Sequence, residues 1–266
     1  MIRDITIGQY YKAGSCIHRL DPRTKIIATL VYIVGLFVLK SFAGLAFAAA
    51  VLAVCVAVSR VPVSFMLRGL KPVFLIILFT FVLNMFIYDG EILVKIWIFT
   101  ITKEGLRTAF FMAARLILLI LGSSMMTLTT KPIELTDGIE SLLSPLRRVG
   151  VPAHELAMMM TIALRFIPTL LEETDKIMKA QQARGADFET GNILRRAKSL
   201  LPILIPLFIS AFRIAQDMAM AMEARCYRGG DGRTRMNPMH FEKRDVAAFI
   251  LLAVFLALII LERILI

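Results

Sequence analysis

The chain has 266 residues, of which 58% are hydrophobic and 19% are charged, and its mean hydropathy is +0.75. A soluble domain has about 45–50% apolar residues, so this composition excludes an ordinary soluble protein and predicts an integral membrane protein. The net charge of +11 would suggest nucleic acid as a partner of a soluble protein. Basic cytoplasmic loops explain the charge in a membrane protein, and we expect a lipid bilayer and no nucleic acid as partners.

Four apolar runs in the first half of the sequence predict four membrane spans, which with their flanks meet the roughly 20 residues that a bilayer requires. The runs are Ile26–Leu39, Phe42–Val58, Pro72–Tyr88 and about Thr108–Thr129, and the shorter ones reach that length only when their flanks are included. Asp21 and Pro22 suit the N-cap and the first position of the first helix. Arg115 falls within the fourth run, where a functional role and a packing role are both open.

The segment near residues 91–103 interrupts the spans. It is rich in β-branched and aromatic residues and is too short to cross a bilayer. We expect a small hairpin-like or interfacial segment there, with Trp97 at the level of the lipid headgroups. Residues 1–129 then form an N-terminal membrane domain with four spans.

The composition changes over residues 130–245, which hold 17 of the 31 basic and 14 of the 20 acidic residues. The apolar pieces Leu156–Leu171 and Leu200–Phe212 are interrupted by charge or proline, and they predict helices that lie outside the lipid. Residues 246–266 return to nearly pure apolar character and predict a fifth span. The expected fold is an all-α integral membrane protein with about five transmembrane helices and long amphipathic cytoplasmic helices.

The short loops determine the predicted orientation. The segment up to Lys25 contains five Lys or Arg residues and residues 59–71 contain three, whereas residues 89–107 are balanced in charge. The positive-inside rule places the N-terminus and residues 130–245 in the cytoplasm and the C-terminus outside.

Two long helical units are repeated in the polar region, at about 152–185 and about 192–226. The first ends in Ala183-Arg184-Gly185, and the second ends in Ala224-Arg225-Cys226, 41 residues later. One such ending is typical of ordinary helix termination, because Arg complements the helix dipole and Gly takes the left-handed conformation. Two endings at matched positions favour two equivalent docking points, because arginine pairs well with a carboxylate on a partner.

These features resemble the transmembrane T component of energy-coupling factor transporters, the EcfT/CbiQ-like family of ABC-type importers for vitamins and transition-metal ions. The resemblance covers nearly the whole chain, including the His18–Lys25 segment, the spans and the paired Ala-Arg motifs. It implies a multi-pass protein of a prokaryotic cell (inner) membrane. It also implies two partner ATP-binding cassette ATPases and a substrate-binding membrane S component.

The resemblance assigns roles to particular residues. It implies that Ala183, Arg184 and Gly185, with Ala224, Arg225 and Cys226, couple the chain to the ATPases. Cys226 replaces the glycine of the family pattern, which leaves the backbone conformation at this helix end open. The expected S-component interface consists of apolar residues in the middle of the two helices, namely Met159, Ile162, Phe166, Ile167, Leu170, Leu204, Leu207 and Phe208.

The sequence does not predict an enzyme. It contains no GxxxxGK[ST] motif, so ATP and Mg²⁺ would be bound by the partner ATPases, and we expect no catalytic residue, cofactor or metal in this chain. His154-Glu155 begins like an HExxH zinc motif, but Met158 replaces the second histidine, and we expect His154 to be a surface residue in the first turn of its helix. A self-sufficient secondary transporter and a polytopic membrane enzyme are the alternatives, which the lack of an acidic residue or a complete catalytic set in the spans disfavours.

Overall fold

The computed structural model describes residues 10–87, 90–96, 99–186, 188, 199–230 and 239–265. Most of these residues are helical. The helices are α1 (Pro22–Val38), α2 (Phe42–Ser59), α3 (Val63–Leu70), α4 (Phe74–Ile87), α5 (Lys103–Thr129), α6 (Pro132–Leu143), α7 (Ala153–Ala183), α8 (Leu201–Ala224) and α9 (Lys243–Leu265). Short 3₁₀ turns lie at Lys71–Val73 and Ser144–Val149.

The predicted all-α membrane fold is confirmed. Six helical stretches in the described part of the chain are long and apolar enough to cross a bilayer. Four of them are α2, the α3–α4 stretch, α5 and α9. The other two, α7 and α8, meet the same length and composition criteria, although the sequence pattern placed them outside the lipid, and they are the least hydrophobic of the six. The 17 residues of α1 give a length of about 26 Å, close to the ~30 Å of a hydrocarbon core.

The third span is longer than its apolar run. The helical stretch Val63–Ile87 covers 25 residues and includes Arg68 and Lys71, which the sequence pattern placed in a loop. Pro72 has no N–H group, and the chain passes it in a 3₁₀ turn between α3 and α4. A local change of hydrogen bonding thus lets the helix continue through the proline.

Residues 91–103 contain the antiparallel strands β1 (Ile92–Ile96) and β2 (Phe99–Thr102). The register pairs Ile96 with Phe99 and Lys95 with Thr100. Trp97 lies outside the described residues. The Thr102 hydroxyl accepts a hydrogen bond from the Gly105 N–H at 3.1 Å and thereby caps α5.

The chain divides into two compact units. The larger unit comprises Gly8–Leu142 and Pro238–Ile266, and the smaller unit comprises Leu143–Asn237. The core of the larger unit is formed by α1, α2, α5 and α9, with Leu36, Ala48 and Ile259 among its most deeply buried residues. The smaller unit is built around α7 and α8, which pack against each other.

A proximal cluster of buried polar residues, Asp21, Lys25 and Asp245, joins three helices of the larger unit. Asp21 caps α1 as predicted, because its Oδ1 accepts from the Arg23 N–H at 2.9 Å. The Asp245 carboxylate accepts from the Asp21 and Glu242 N–H groups at 2.8 and 2.9 Å. Lys25 Nζ donates to the carbonyls of His18 and Thr129 at 3.0 and 2.9 Å. These bonds fix the start of α1 to the start of α9 and the end of α5.

Arg115 lies at the other end of α1. Its Nη2 donates to the Leu39 carbonyl, one of the carbonyls that a helix C-terminus leaves without an internal partner. Its guanidinium also lies 4.7 Å from the centroid of the Phe111 ring. These contacts give Arg115 a packing role in the larger unit.

Candidate coupling site

The end of α7 has a defined hydrogen-bonding pattern. The N–H of Gly185 donates to the Gln182 carbonyl at 2.9 Å, and the N–H of Ala186 donates to the Gln181 carbonyl at 3.0 Å. Gly185 has a φ of +88°. This combination is a Schellman motif, with Arg184 as the C-cap residue.

The end of α8 repeats this geometry. The N–H of Cys226 donates to the Glu223 carbonyl at 2.8 Å, and the N–H of Tyr227 donates to the Met222 carbonyl at 3.0 Å. Arg225 is the C-cap residue. The backbone φ is −87° at Arg184 and −91° at Arg225. The backbone therefore has nearly the same conformation at the two arginines.

Cys226 adopts the left-handed conformation without being glycine. Its φ is +55°, a region in which a Cβ costs roughly 1–2 kcal/mol. The two bonds of the Schellman motif hold the backbone there despite this cost. The departure from Ala-Arg-Gly therefore changes the side chain at the helix end but not the path of the backbone.

All six predicted coupling residues are exposed to solvent in the smaller unit. Neither the Arg184 nor the Arg225 guanidinium forms a salt bridge with any carboxylate that the structure describes. The guanidinium groups of both arginines are therefore exposed at helix ends, where they can donate hydrogen bonds to a partner. A planar guanidinium in this state can bind a carboxylate through two parallel hydrogen bonds.

Contacts between α7 and α8 show that the helices run antiparallel. Gln181 Nε2 donates to the Pro202 carbonyl at 3.5 Å, and Ser210 Oγ donates to Glu173 Oε1 at 3.3 Å. Tyr227 Oη donates to Met158 Sδ at 2.9 Å. The end of α7 therefore lies beside the start of α8, and the end of α8 lies beside the start of α7.

This arrangement separates the two arginines. Met158, which lies beside the end of α8, precedes Arg184 by 26 residues, a distance of about 40 Å along a helix. Arg184 and Arg225 therefore occupy opposite ends of the helix pair. The structure does not bring the six coupling residues into one site; it places three of them at each end.

Pro206 contributes to the contact between the two helices. A proline inside a helix has no N–H to donate, and the carbonyl four residues before it is left without its usual partner. For Pro206 this is the Pro202 carbonyl, the same group that accepts from Gln181 Nε2. The unsatisfied backbone group thus becomes a point of contact between α7 and α8.

The eight residues predicted for the S-component interface are all exposed or half-buried. Met159, Leu204 and Phe208 are exposed, with 62% of Phe208 accessible. The exposed apolar face of α8 is wider than the sequence pattern indicated. It also includes Ile205, Ile209 and Phe212, which repeat at the i, i+4 and i+7 spacing that could have indicated them.

His154 lies in the first turn of α7, as the sequence predicted, but it is half-buried there and not the surface residue that we expected. Its Nε2 lies 3.4 Å from Tyr227 Oη. The Tyr227 hydroxyl donates its hydrogen bond to the Met158 sulfur. Tyr227 follows the second arginine motif by two residues. These contacts hold the end of α8 against α7, a role for Tyr227 that the sequence pattern did not predict.

The fold and the helix ends define a multi-pass α-helical membrane protein with two exposed arginine motifs. Comparison with known proteins identifies its family. The CbiQ model, described as cobalt transport protein, matches residues 13–236. A protein of Thermosediminibacter oceani is 61% identical over 249 residues, covering 94% of each chain. A protein of Clostridium kluyveri is 57% identical over 266 residues, covering 99% of this chain and 98% of the other.

A Bacillus subtilis protein is 45% identical over 264 residues, covering 99% of this chain and 100% of the other. All three relatives are named energy-coupling factor transporter transmembrane protein EcfT. The chain belongs to this EcfT/CbiQ family, which confirms the family resemblance drawn from the sequence. The names of the relatives describe a membrane component of a transporter, not a catalytic enzyme.

Proposed function

We propose that this chain is the transmembrane scaffold of an energy-coupling factor importer in a prokaryotic cell membrane. It couples ATP hydrolysis by two partner ABC ATPases to the movement of a substrate-binding S component for a vitamin or a metal ion. ATP and Mg²⁺ bind to the ATPases and not to this chain. The observation that carries this proposal is the pair of exposed arginines at equivalent ends of α7 and α8.

The geometry of the helix ends favours two partner subunits over one. The arginines are about 40 Å apart along the helix pair, so each docks on a different surface. Each contact alone is modest, but two contacts to one connected ATPase dimer reinforce each other through effective concentration. The Schellman motifs hold the backbone of both arginines in nearly the same conformation, which suits two similar docking surfaces.

The apolar face of α8 supports the S-component part of the proposal. Phe208 and Phe212 are 62% and 68% exposed, and Leu204, Ile205 and Ile209 extend the same face. Exposed apolar patches of this kind mark surfaces that contact protein or lipid. We assign this face, with the predicted residues of α7, to the S component.

Charge reversal tests the ATPase contacts. In the purified complex we expect Arg184→Glu and Arg225→Glu each to weaken ATPase binding by about 2–5 kcal/mol at that contact, because a desolvated ion pair is replaced by an unpaired charge. The double variant loses both anchors, so it inserts into the membrane, loses the ATPases on purification and does not support uptake. Arg165→Glu is the matched control, because Arg165 is exposed on α7 but lies away from both ends.

If the two arginines only stabilise their own helix ends, the charge-reversal variants should behave differently. The loss of a favourable charge at a helix C-terminus costs only about 0.3–1 kcal/mol, so even the double variant would keep its ATPases. Copurification of the ATPases at the normal ratio, with normal uptake, would contradict the docking role of both arginines.

Cys226 provides a second test that needs no substitution. The side chain is exposed beside Arg225, and Cys16 is exposed in the larger unit. A maleimide should label both cysteines in the isolated chain, whereas the assembled complex should protect Cys226 because the ATPase covers it. Equal labelling of Cys226 with and without the ATPases would argue against docking at the end of α8.

A further inference from the structure

A group of cations lies around the C-terminal end of α1, opposite the end that Asp21 caps; we call it the distal cluster and define it as Lys40, Arg107, Arg115 and Arg263. Arg115 binds the Leu39 carbonyl next to Lys40. The Arg107 guanidinium lies 5.6 Å from the centroid of Phe42, and the Phe42 and Phe111 rings are 5.2 Å apart. Arg263 lines the same cavity as Lys40. Four cations from α5, α9 and the α1–α2 turn therefore meet at one end of the unit.

The carboxylate near the distal cluster is already engaged. Glu262 accepts a hydrogen bond from the Ser41 hydroxyl at the N-terminus of α2, where the helix dipole favours negative charge. It lies so close to Gly44 that a Cβ at that position would clash with Glu262 Oε2. Among the described residues, Lys40, Arg107 and Arg263 form no salt bridge. The cluster thus keeps a net positive charge that the described carboxylates do not neutralise.

The distance between the proximal and distal clusters is consistent with a distal cluster at the depth of the lipid headgroups. The proximal cluster (Asp21, Lys25 and Asp245) and the distal cluster flank α1, whose 17 residues separate them by about 26 Å. A bilayer has a hydrocarbon core of about 30 Å between its two headgroup layers. If the proximal end lies at one surface, the distal cluster therefore lies at the opposite surface.

A cavity of about 210 Å³ opens at the distal cluster, lined by Lys40 and Arg263 together with Val38, Leu39, Ile259 and Glu262. Two of its three charged lining residues are cations, and its apolar lining residues come from the end of α1 and from α9. The neighbouring Phe37, Ile260 and Ile264 are exposed and offer a surface for acyl chains. The cavity therefore combines charge for a phosphate with apolar surface for a lipid tail.

We propose that this cavity binds the phosphodiester headgroup of an anionic phospholipid, with Lys40 and Arg263 as the direct ligands. Arg107 and Arg115 add positive potential from α5. A zwitterionic lipid is bound less well, because its own cation is repelled by the cluster. The site is independent of the coupling ends of α7 and α8.

Retention of defined lipids by the full-length chain tests this site. Native mass spectrometry in detergent compares phosphatidylglycerol with phosphatidylcholine of the same acyl chains. We expect the wild-type chain to retain phosphatidylglycerol preferentially. The variant Lys40→Gln/Arg263→Gln should lose about tenfold or more of this binding, because each cation near an anionic lipid contributes to it.

Three controls define the outcome. Arg68→Gln removes an exposed cation elsewhere in the larger unit and should leave lipid retention unchanged. Thermal unfolding without lipid should be similar for all variants, since Lys40 and Arg263 are exposed. Inorganic phosphate at millimolar concentration should not displace the lipid. Equal retention of the two lipids by the wild-type chain, undiminished retention by the double variant, or displacement by phosphate would overturn the proposal.

Discussion

Each Schellman motif at the ends of α7 and α8 contains one residue with a positive φ, Gly185 or Cys226. A Cβ added at Gly185 would meet no atom within 4 Å, but the φ of this residue is +88°, so its requirement is conformational and not steric. We expect Gly185→Ala to lower the free energy of unfolding of this helix end by roughly 1–2 kcal/mol. Hydrogen exchange at the Ala186 amide, which closes the Schellman motif, should become faster.

Gly14→Ala is the matched control for this change. Gly14 also has open space around it, but it lacks the positive φ, so alanine there should cost little or be slightly stabilising. If hydrogen exchange at the Ala186 amide and the free energy of unfolding are the same in both variants, the left-handed conformation does not limit the stability of the motif.

His18 makes the stability of the larger unit depend on pH. Its Nδ1 is 2.7 Å from Ser15 Oγ and its Nε2 is 2.9 Å from the Tyr11 carbonyl. Burial lowers the pKa of His18 below its usual 6.5; the hydrogen bond to the Tyr11 carbonyl partly opposes this shift, and the charge of Lys25 adds a smaller lowering. The folded state thus favours the neutral ring, and its stability should fall as the pH drops below about 6.5.

The measurement is thermal unfolding in detergent between pH 5 and 8. His18→Gln should be less stable at pH 8 but should lose less of its stability on acidification than the wild type. His240→Gln changes an exposed ring and should keep the wild-type pH dependence. A wild-type melting temperature that stays constant over this range would contradict the assignment.

At the level of single residues, the sequence predicted local interactions better than distant ones. The Asp21 cap depends on a neighbour two residues away and followed from Asp-Pro at a helix start. The partner of Arg115 is the carbonyl of Leu39, 76 residues away, and no local pattern indicates it. The sequence also did not predict the backbone conformation of Cys226. Cysteine disfavours a positive φ, but the hydrogen bonds around Cys226 impose one.

Glycines control how closely the helices of the larger unit approach. A Cβ at Gly122 in α5 would lie 2.5 Å from Tyr32 Cε1 in α1, closer than real contacts allow. We expect Gly122→Val to destabilise the α1–α5 contact by about 1–3 kcal/mol, the usual cost of overpacking. Ala46→Val on the exposed side of α2 should unfold at nearly the wild-type temperature. An unchanged melting temperature for Gly122→Val would mean that the two helices can move apart freely.

Helices were predicted well where an apolar run is nearly continuous, and less well where proline interrupts the pattern. The apolar runs located α2 and α9, because their hydrophobic stretches are nearly continuous. At Pro72 the sequence suggested a boundary, but the helical stretch passes through it. At Pro202 the described helix α8 starts at Leu201, whereas residues 192–198 of the predicted second unit lie outside the described residues.

Across the whole molecule, the orientation of the chain is open to a direct test. Our topology places the N-terminus and residues 130–245 in the cytoplasm and the C-terminus outside. In otherwise cysteine-free chains, native Cys16 and Cys226 should react with a membrane-impermeant reagent from the cytoplasmic side. A cysteine introduced as Lys40→Cys should react from the outside. Labelling of all three positions from one side would contradict this topology.

The apolar face of α8 gives a second prediction for the assembled transporter. Phe208→Asp or Leu204→Asp should reduce the yield of the S component in the purified complex, because a buried interface does not tolerate an unpaired charge. The ATPases should remain bound, since the arginine motifs are intact. Asp217→Asn, which removes a charge from an exposed position farther along α8, is the control. Normal S-component yield for both aspartate variants would exclude this face as the interface.

The antiparallel packing of α7 and α8 gives the pair an approximate two-fold axis. A rotation that maps residues 160–185 onto residues 201–226, a shift of 41 positions, superimposes Arg184 on Arg225 and keeps the helices facing each other. With the facing positions set by Gln181–Pro202 and Glu173–Ser210, the axis passes close to Leu171 and Phe212. A dimer of two similar subunits has an axis of the same kind. A single chain can therefore present matching ends to both halves of such a dimer, and Cys226 and Tyr227 are points at which that equivalence is broken.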